Sequence, residues 1–209
     1  VIDEPFYAVY FLKTGIVHPG KDEVLNNQPH KEAEVLAQLF TEQTRPVYFI
    51  KNMAHHLEVL KDFPYETCEN IFMIRNPKQI IASYAQVIKQ PVMRDIGIKY
   101  QYNLFEKLAA SGKVPVVLDT NLLLENPESV LRKTCKAIGL HFEEAMLSWP
   151  AGPKPYDGVW APYWYANVHK STRFEKQPTS NRPLPQYLNS LFEEARIFYE
   201  KLLPFAIKP

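Results

Sequence analysis

A cation and a hydroxyl lie near each other in the sequence where a short apolar run gives way to a helical pattern. Arg75 directly follows the run Ile71–Ile74, and Ser83 comes eight positions later, about two helical turns on. A guanidinium carries a fork of donors that suits phosphate oxygens, and the free N–H groups at a helix start attract anions. Asn76 and Pro77 are residue types favoured at the N-cap and first helical position. The segment therefore predicts a site for a doubly charged phosphate at the carboxyl end of a strand.

The same spacing also fits an ordinary strand-to-helix turn in which Arg75 pairs with a carboxylate. The predicted helix carries its apolar residues on one stripe, with Ser83 at the edge of that stripe. Spacing alone leaves both interpretations open.

Short apolar runs alternate with amphipathic helical patterns along the chain, which is typical of an α/β fold with a parallel sheet flanked by helices. Buried strands are predicted at residues 47–50, 71–74 and 114–118. Helices are predicted at residues 30–41, 95–111, 127–138 and about 184–203. The residues expected to face inward in the first, second and last of these helices are Ala33, Leu36, Leu39, Phe40, Ile98, Tyr102, Phe105, Leu108, Tyr187, Leu191, Phe192, Ala195 and Phe198.

Residues 149–185 lose this periodicity and combine several prolines with large aromatic side chains. A long loop inside a compact domain is usually functional or disordered, and so many rings argue against disorder because they need burial or a ligand. We interpret the segment as a lid or arm over the site. The alternative is a packed C-terminal arm that makes no ligand contact.

Composition bounds the class of protein. A chain of 209 residues suits a single domain over residues 1–209, and a net charge of +1 argues against nucleic-acid binding. Cys68 and Cys135 give no disulfide framework and no metal-ligand spacing, so no metal is expected. The sequence contains no apolar run long enough to cross a bilayer and no visible signal peptide, although it opens at Val1. We expect a cytoplasmic protein that does not bind membranes.

The Arg75–Ser83 spacing, taken with the preceding strand and Pro77, resembles the 3′-phosphate-binding segment of sulfotransferases. Further segments resemble a bacterial and plant group of sulfotransferase-like proteins, and together they span nearly the whole chain. They are Val-Ile-Asp-Glu-Pro-Phe-Tyr at 1–7, His-Pro-Gly at 18–20, Lys-Asn-Met-Ala-His-His at 51–56, Ser-Trp-Pro-Ala-Gly at 148–152 and Asp-Gly-Val-Trp at 157–160.

The resemblance implies a P-loop-like α/β fold and an enzyme that moves a sulfuryl group from 3′-phosphoadenosine 5′-phosphosulfate to a hydroxyl or amine of a small acceptor. It also implies an N-terminal strand and loop that hold the 5′-phosphosulfate, and neither these nor Gly-x-x-x-x-Gly-Lys is found in the sequence. We expect this to mean that the chain is a fragment. If the loop has been lost instead, catalysis would be feeble or absent.

Lys51, His55 and His56 follow the predicted strand at 47–50, and these three residues match the catalytic region of that family. Lys51 could neutralise charge on the leaving phosphate or the transferring group, and His55 or His56 could accept the acceptor's proton. The family spacing is tighter than the spacing here, so the choice between the two histidines stays open, and we favour His55. The alternatives are a solvated Lys and a capping or core His beside a surface His.

The basic segment at 169–174 matches the family by position only. Lys170, Ser171 and Arg173 could return to the 3′-phosphate, or they could form a solvated basic turn. Trp160 or Trp164 could stack on adenine, although core packing also suits them. Asp3 and Glu4 could line the acceptor side or cap the helix that follows them.

Two other functions stay open. A non-catalytic binding or scaffold module with the sulfotransferase fold would explain the missing loop. A nucleoside or nucleotide kinase would need a loop that handles Mg²⁺, and no such motif is found in the sequence.

Overall fold

A computed structural model describes residues 1–41, 45–176 and 181–209 of the chain. These residues form two compact units. The first contains Val1–Phe63 and Pro150–Thr172, and the second contains Pro64–Trp149 and Arg173–Pro209. Each unit holds one pair of parallel strands, β1 (Ile2–Asp3) with β2 (Ile50–Lys51) in the first and β3 (Ile71–Ile74) with β4 (Val116–Asp119) in the second.

The described ranges contain twelve α-helices. In chain order they are α1 (Tyr7–Thr14), α2 (Lys21–Asn27), α3 (Glu32–Phe40), α4 (Ala54–Glu58), α5 (Pro77–Tyr84), α6 (Met93–Ile96), α7 (Ile98–Ala110), α8 (Thr120–Glu125), α9 (Pro127–Ala137), α10 (Ala161–Trp164), α11 (Ala166–Lys170) and α12 (Asn189–Leu202). Within the described ranges, no helix is long and apolar enough to span a bilayer.

Helix α1 is the centre of the first unit because both of its sides are apolar. One side packs with Val24 and Trp160, and the other packs with Val35 and Leu39 of α3. The helix has no side-chain cap of its own. Gln28 satisfies its first turn instead, because the Gln28 amide accepts from the Ala8 N–H at 3.0 Å and donates to the Glu4 carbonyl at 2.9 Å. This fixes the turn between β1 and α1.

The second unit is built around the β3–β4 pair, whose register runs from Ile71 opposite Val116 to Ile74 opposite Asp119. Leu118, Leu123 and Val130 form one core cluster of this unit. Helices α7 and α12 pack against each other, and the Tyr102 and Phe198 rings lie 5.7 Å apart between them. The strand predicted at Ile71–Ile74 is confirmed, as are helices close to the predicted ranges at 127–138 and 184–203.

Three predicted elements are wrong in their extent. The strand predicted at 114–118 is Val116–Asp119, and Val114 is exposed. The strand predicted at 47–50 is only Ile50–Lys51, because β1 offers just two residues for pairing, and Val47 and Phe49 are exposed rather than buried. The helix predicted at 95–111 is divided by Gly97, which ends α6 in the left-handed conformation with a φ of 72°.

Two residues predicted to face inward face outward. Tyr187 is 64% exposed, because it lies in a short turn before α12 and donates its hydroxyl to the Lys89 carbonyl at 2.8 Å. Ala33 is exposed, and Val35 is buried in its place on α3. Within residues 149–176, the aromatic segment also contains helices that were not predicted, α10 and α11, and its Trp160 is buried in the core of the first unit.

The contribution of the α9 N-cap to the stability of the second unit can be tested. The Asn126 side chain accepts from the Ser129 N–H at 3.0 Å. Asn126→Ala should lower the free energy of unfolding by about 1 kcal/mol, because that N–H loses its partner. Urea unfolding measures the change, and Asn126→Asp is the matched control that keeps a capping oxygen and should retain stability. Equal losses in both variants would contradict a capping role.

Candidate functional site

Arg75 extends from the end of β3 beside the start of α5. Its Nε donates to Gln79 Oε1 at 3.1 Å, and the side chain is half-buried. Gln79 and Ser83 are four residues apart on α5, so they lie on the same helix face, one turn from each other. Ser83 is exposed in the last turn. The Arg75 Nε therefore bonds to the helix face that carries the Ser83 hydroxyl one turn further on.

The start of α5 differs from the prediction in one respect. Asn76 is the N-cap and Pro77 is the first residue, as predicted, but the first N–H groups are not free. Pro77 has no N–H, the Lys78 N–H donates to Asn76 Oδ1 at 2.9 Å, and the Gln79 N–H donates to the Asn76 carbonyl at 2.9 Å. A phosphate at this turn would be held by side chains, because the cap has used the backbone donors.

Asp119 is a buried carboxylate of this unit, at the end of β4. Its Oδ1 accepts from the Asn121 and Leu122 N–H groups at 2.9 and 3.0 Å, and its Oδ2 accepts from the Tyr199 hydroxyl at 2.9 Å. Burial lowers the pKa of Arg75, and the Asp119 charge opposes that effect. Asp119 therefore helps to keep a half-buried guanidinium charged.

The end of the β1–β2 pair in the first unit carries a second charged group. Asp3 and Lys51 are opposite each other in the register. The Lys51 ammonium contacts Glu4 Oε1 and lies 3.4 Å from Asp3 Oδ1. Both carboxylates are largely buried, whereas about a third of the Lys51 side chain is exposed. The predicted cation is thus present, but two carboxylates already share its charge.

Tyr165 joins the aromatic segment to these charges. Its hydroxyl donates to Asp3 Oδ2 at 2.8 Å and accepts from Lys51 Nζ at 2.9 Å and from Trp160 Nε1 at 3.1 Å. A phenol has one proton and two lone pairs, so these three bonds use its full capacity. Burial, followed by the Glu4 charge, raises the pKa of Tyr165, which keeps the phenol protonated.

His55 and His56 lie on α4, which begins three residues after β2 ends, and both are buried. His56 stacks on Tyr7 with ring centroids 4.3 Å apart, and His55 lies 5.1 Å from the Tyr10 ring. Burial lowers the pKa of His56 well below its usual value, and electrostatic repulsion by His55, Lys51 and His18 acts in the same direction. His56 is therefore neutral at pH 7 and able to accept a proton.

The carboxylate beside His56 belongs to Glu4. Glu4 Oε2 lies 3.7 Å from His56 Nδ1. Burial raises the pKa of Glu4, while the Lys51 ammonium acts in the opposite direction. The residues of this cluster are thus one connected group, in which Lys51 contacts Glu4 and Glu4 faces His56.

The basic segment at 169–174 is divided between the two units, which meet in the sequence between Thr172 and Arg173. Lys170 ends α11 and is exposed, and the Ser171 hydroxyl donates to the Val168 carbonyl at 2.7 Å in the first unit. Arg173 belongs to the second unit, is exposed and pairs with Glu175. Their role in phosphate binding stays a prediction.

Apart from the basic segment, the predicted site residues fall into two groups. The first unit brings Lys51, His55 and His56 together with Asp3 and Glu4, and α5 of the second unit brings Arg75 to the face that carries Ser83. Tyr165 and Gln79 are the contacts that the sequence did not single out. Helical spacing could have found Gln79, since it lies four residues from both Arg75 and Ser83. No cluster of His, Cys, Asp and Glu among the described residues suits a metal ion.

Comparison with curated proteins finds two similar chains from Arabidopsis thaliana. Branched-chain-amino-acid aminotransferase-like protein 1 is 32% identical over 206 residues, which is 97% of this chain and 37% of that protein. Branched-chain-amino-acid aminotransferase-like protein 2 is 31% identical over 206 residues, which is 97% of this chain and 36% of that protein. The chain therefore spans a little over a third of the length of these relatives.

No solved structure matches the chain significantly. The family model described as a sulfotransferase domain matches residues 1–205. The chain belongs to the sulfotransferase domain family.

Proposed function

We propose that the protein binds 3′-phosphoadenosine 5′-phosphosulfate and transfers its sulfuryl group to a hydroxyl or amine of a small acceptor. Membership of the sulfotransferase domain family supports sulfuryl transfer as the reaction class. The observation that supports the choice of donor is the bond from Arg75 Nε to Gln79, on the α5 face that also bears Ser83.

The donor set at α5 fits a phosphate monoester. A guanidinium meets two phosphate oxygens at once, and a serine hydroxyl adds a third donor on the same face. The neighbouring Gln79 amide holds the guanidinium in place, so less side-chain entropy is lost on binding. Arg75 and Ser83 would therefore hold the 3′-phosphate, with the basic segment containing Lys170, Ser171 and Arg173 as the other candidate.

The first unit supplies the groups for the acceptor. Sulfuryl transfer is an in-line displacement that spreads negative charge over peripheral oxygens, so a cation and a proton acceptor are the groups it requires. The Lys51 ammonium is the cation, and the partly exposed side chain leaves it accessible to a ligand. His55 and His56 are the candidate proton acceptors, and neutral His56 is already in the form that accepts.

A non-catalytic module with the same fold is the second candidate. The observation that favours it is the charge balance around Lys51, whose ammonium is already shared by Glu4 and Asp3. A cation that two carboxylates neutralise stabilises transferring charge less than an unpaired one does. This candidate predicts nucleotide binding without turnover.

The role of Arg75 is tested by the ratio of two affinities, one for adenosine 3′,5′-bisphosphate and one for adenosine 5′-phosphate. The wild-type protein at its natural length should bind adenosine 3′,5′-bisphosphate more tightly than adenosine 5′-phosphate, because only the former has a 3′-phosphate. Arg75→Ala should weaken bisphosphate binding by roughly 10- to 150-fold, since hydrogen bonds to charged groups contribute about 1.5–3 kcal/mol. Ser83→Ala should weaken it by roughly 2- to 10-fold. Calorimetry measures the affinity of the wild type and of each variant for both nucleotides.

Two controls accompany this measurement. Arg75→Lys keeps the charge but loses the fork, and should recover only part of the affinity. Lys107→Ala removes an exposed cation from α7 in the same unit and should leave the affinity within about twofold. An unchanged preference for the bisphosphate in Arg75→Ala would contradict the proposed phosphate site.

Transfer activity separates the enzyme from the non-catalytic module. With ³⁵S-labelled donor and a panel of small phenols, alcohols and amines, the wild-type protein should label at least one acceptor. Lys51→Met should lower kcat at least about tenfold while the affinity for adenosine 3′,5′-bisphosphate stays within about threefold, because the lost cation acts on the transferring charge. Lys13→Met, which removes another partly exposed lysine of the same unit, is the control. Nucleotide binding without labelled product in the wild type would favour the module.

A further inference from the structure

Glu4 and His56 form a buried carboxylate–imidazole pair at the end of the β1–β2 strands. Glu4 is 4% exposed and His56 is 1% exposed. The two oxygens of Glu4 face different partners, since Oε1 contacts the Lys51 ammonium and Oε2 lies 3.7 Å from His56 Nδ1. This arrangement directs one carboxylate oxygen at one ring nitrogen.

The ring nitrogen that faces Glu4 is unsatisfied. His56 Nδ1 is buried and has no hydrogen-bond partner within the described part of the chain. A buried polar atom without a partner costs about 1–3 kcal/mol, so its retention calls for an explanation. Hydrogen bonds in catalytic groups are often long in unliganded structures and shorten when the substrate binds. A small rotation of the Glu4 side chain would close the gap.

The backbone of Glu4 supports a functional explanation. Its φ is 41°, in the left-handed region that residues with a Cβ seldom adopt. The Glu4 N–H donates to the Lys51 carbonyl at 2.8 Å, and the Glu4 carbonyl accepts from Gln28 Nε2 at 2.9 Å. Such a conformation costs about 1–3 kcal/mol and persists where its surroundings impose it, often in active sites. Here it points the carboxylate between Lys51 and His56.

The other groups around His56 oppose its protonation. Tyr7 and Tyr10 of α1 cover the ring at centroid distances of 4.3 and 4.8 Å, and His55 on its own helix lies 4.6 Å away. Lys51 of β2 and His18, which precedes α2, add positive charge when they are protonated. The Glu4 carboxylate, directly after β1, faces His56 and is the negative charge that would stabilise an imidazolium there.

We propose that Glu4 is a positioning residue that fixes the tautomer of His56 and stabilises its protonated form, with His56 as the proton acceptor; this rests on the proposed sulfuryl transfer. Nδ1–H donates to Glu4, which leaves the lone pair on Nε2 to accept. The acceptor's proton moves to Nε2 while the acceptor atom bonds to sulfur, and the electron pair of the broken sulfur–oxygen bond stays on the 5′-phosphate. The positive charge on His56 then lies beside the Glu4 carboxylate.

Proton positions can be measured without any turnover. Nitrogen NMR of ¹⁵N-histidine-labelled protein at its natural length, with His56 assigned through His56→Gln, reports the tautomer and the pKa of the ring. In the wild type, His56 should carry its proton on Nδ1. In Glu4→Gln, the pKa of His56 should fall by about one unit or more, because a charge partner within 4–6 Å is lost.

Asp3→Asn is the matched control, because Asp3 is the adjacent carboxylate and lies against Tyr165 and Lys51. Its effect on the pKa of His56 should be smaller than that of Glu4→Gln. A wild-type proton on Nε2 overturns the proposal even if Glu4→Gln fails to fold. So does a His56 pKa that is the same in the wild type and in Glu4→Gln, which is also the result expected if Glu4 is protonated at neutral pH.

Kinetics supply the second readout. Glu4→Gln should lower kcat at least about tenfold and move the acid limb of the kcat profile to lower pH, since a less basic His56 stays neutral to lower pH. An unmoved acid limb in an active Glu4→Gln enzyme would count against the proposal. If the NMR results hold and no acceptor is labelled by the wild type, the Glu4–His56 pair stands and the proposed transferase activity fails.

Discussion

Parallel pairing brings the carboxyl ends of neighbouring strands to one edge of a sheet, and in both units this edge carries the charged residues. Asp3 and Lys51 are opposite each other at the end of β1 and β2, and Asp119 is opposite Ile74, the residue before Arg75. The helices that follow these strands begin within a few residues. Each charged group is therefore placed by backbone hydrogen bonds and by the start of a helix, and side-chain packing only refines its position.

The two groups differ in how they manage charge. In the second unit, Asp119 has its oxygens occupied by a helix cap and by Tyr199, so its charge supports Arg75 while Gln79 holds the guanidinium. In the first unit, the carboxylates contact the cation directly. The arrangement in the second unit suits the binding of an anion. The arrangement in the first unit suits proton transfer, because a neighbouring charged group compensates each change of charge there.

Local signals in the sequence predicted local structure well. Asn76 and Pro77 mark the start of α5, and Asn126 and Pro127 mark the start of α9, because capping depends on residues within one turn. The break at Gly97 could also have been predicted from the glycine itself. The extent of β2 could not, since the length of β1 determines it across 48 positions of sequence.

The candidate site was predictable as a set of residue types and not as a set of contacts. Lys51, His55 and His56 stood out by their spacing after a strand, and the segment containing Arg75 stood out by its turn. The hydroxyl of Tyr165, which bonds to Asp3 from 162 positions away, gave no local signal. The occupation of the α5 N–H groups by Asn76 also escaped prediction, because capping and phosphate binding compete for the same donors.

The central claim is that Arg75 and Ser83 together bind the 3′-phosphate of the donor nucleotide. The most direct test is a crystal structure of the protein at its natural length with adenosine 3′,5′-bisphosphate. The account predicts 3′-phosphate oxygens within hydrogen-bond distance of the Arg75 guanidinium and the Ser83 hydroxyl. A nucleotide bound with its 3′-phosphate away from both side chains, or an Arg75 guanidinium turned to Asp119 in the complex, would contradict it.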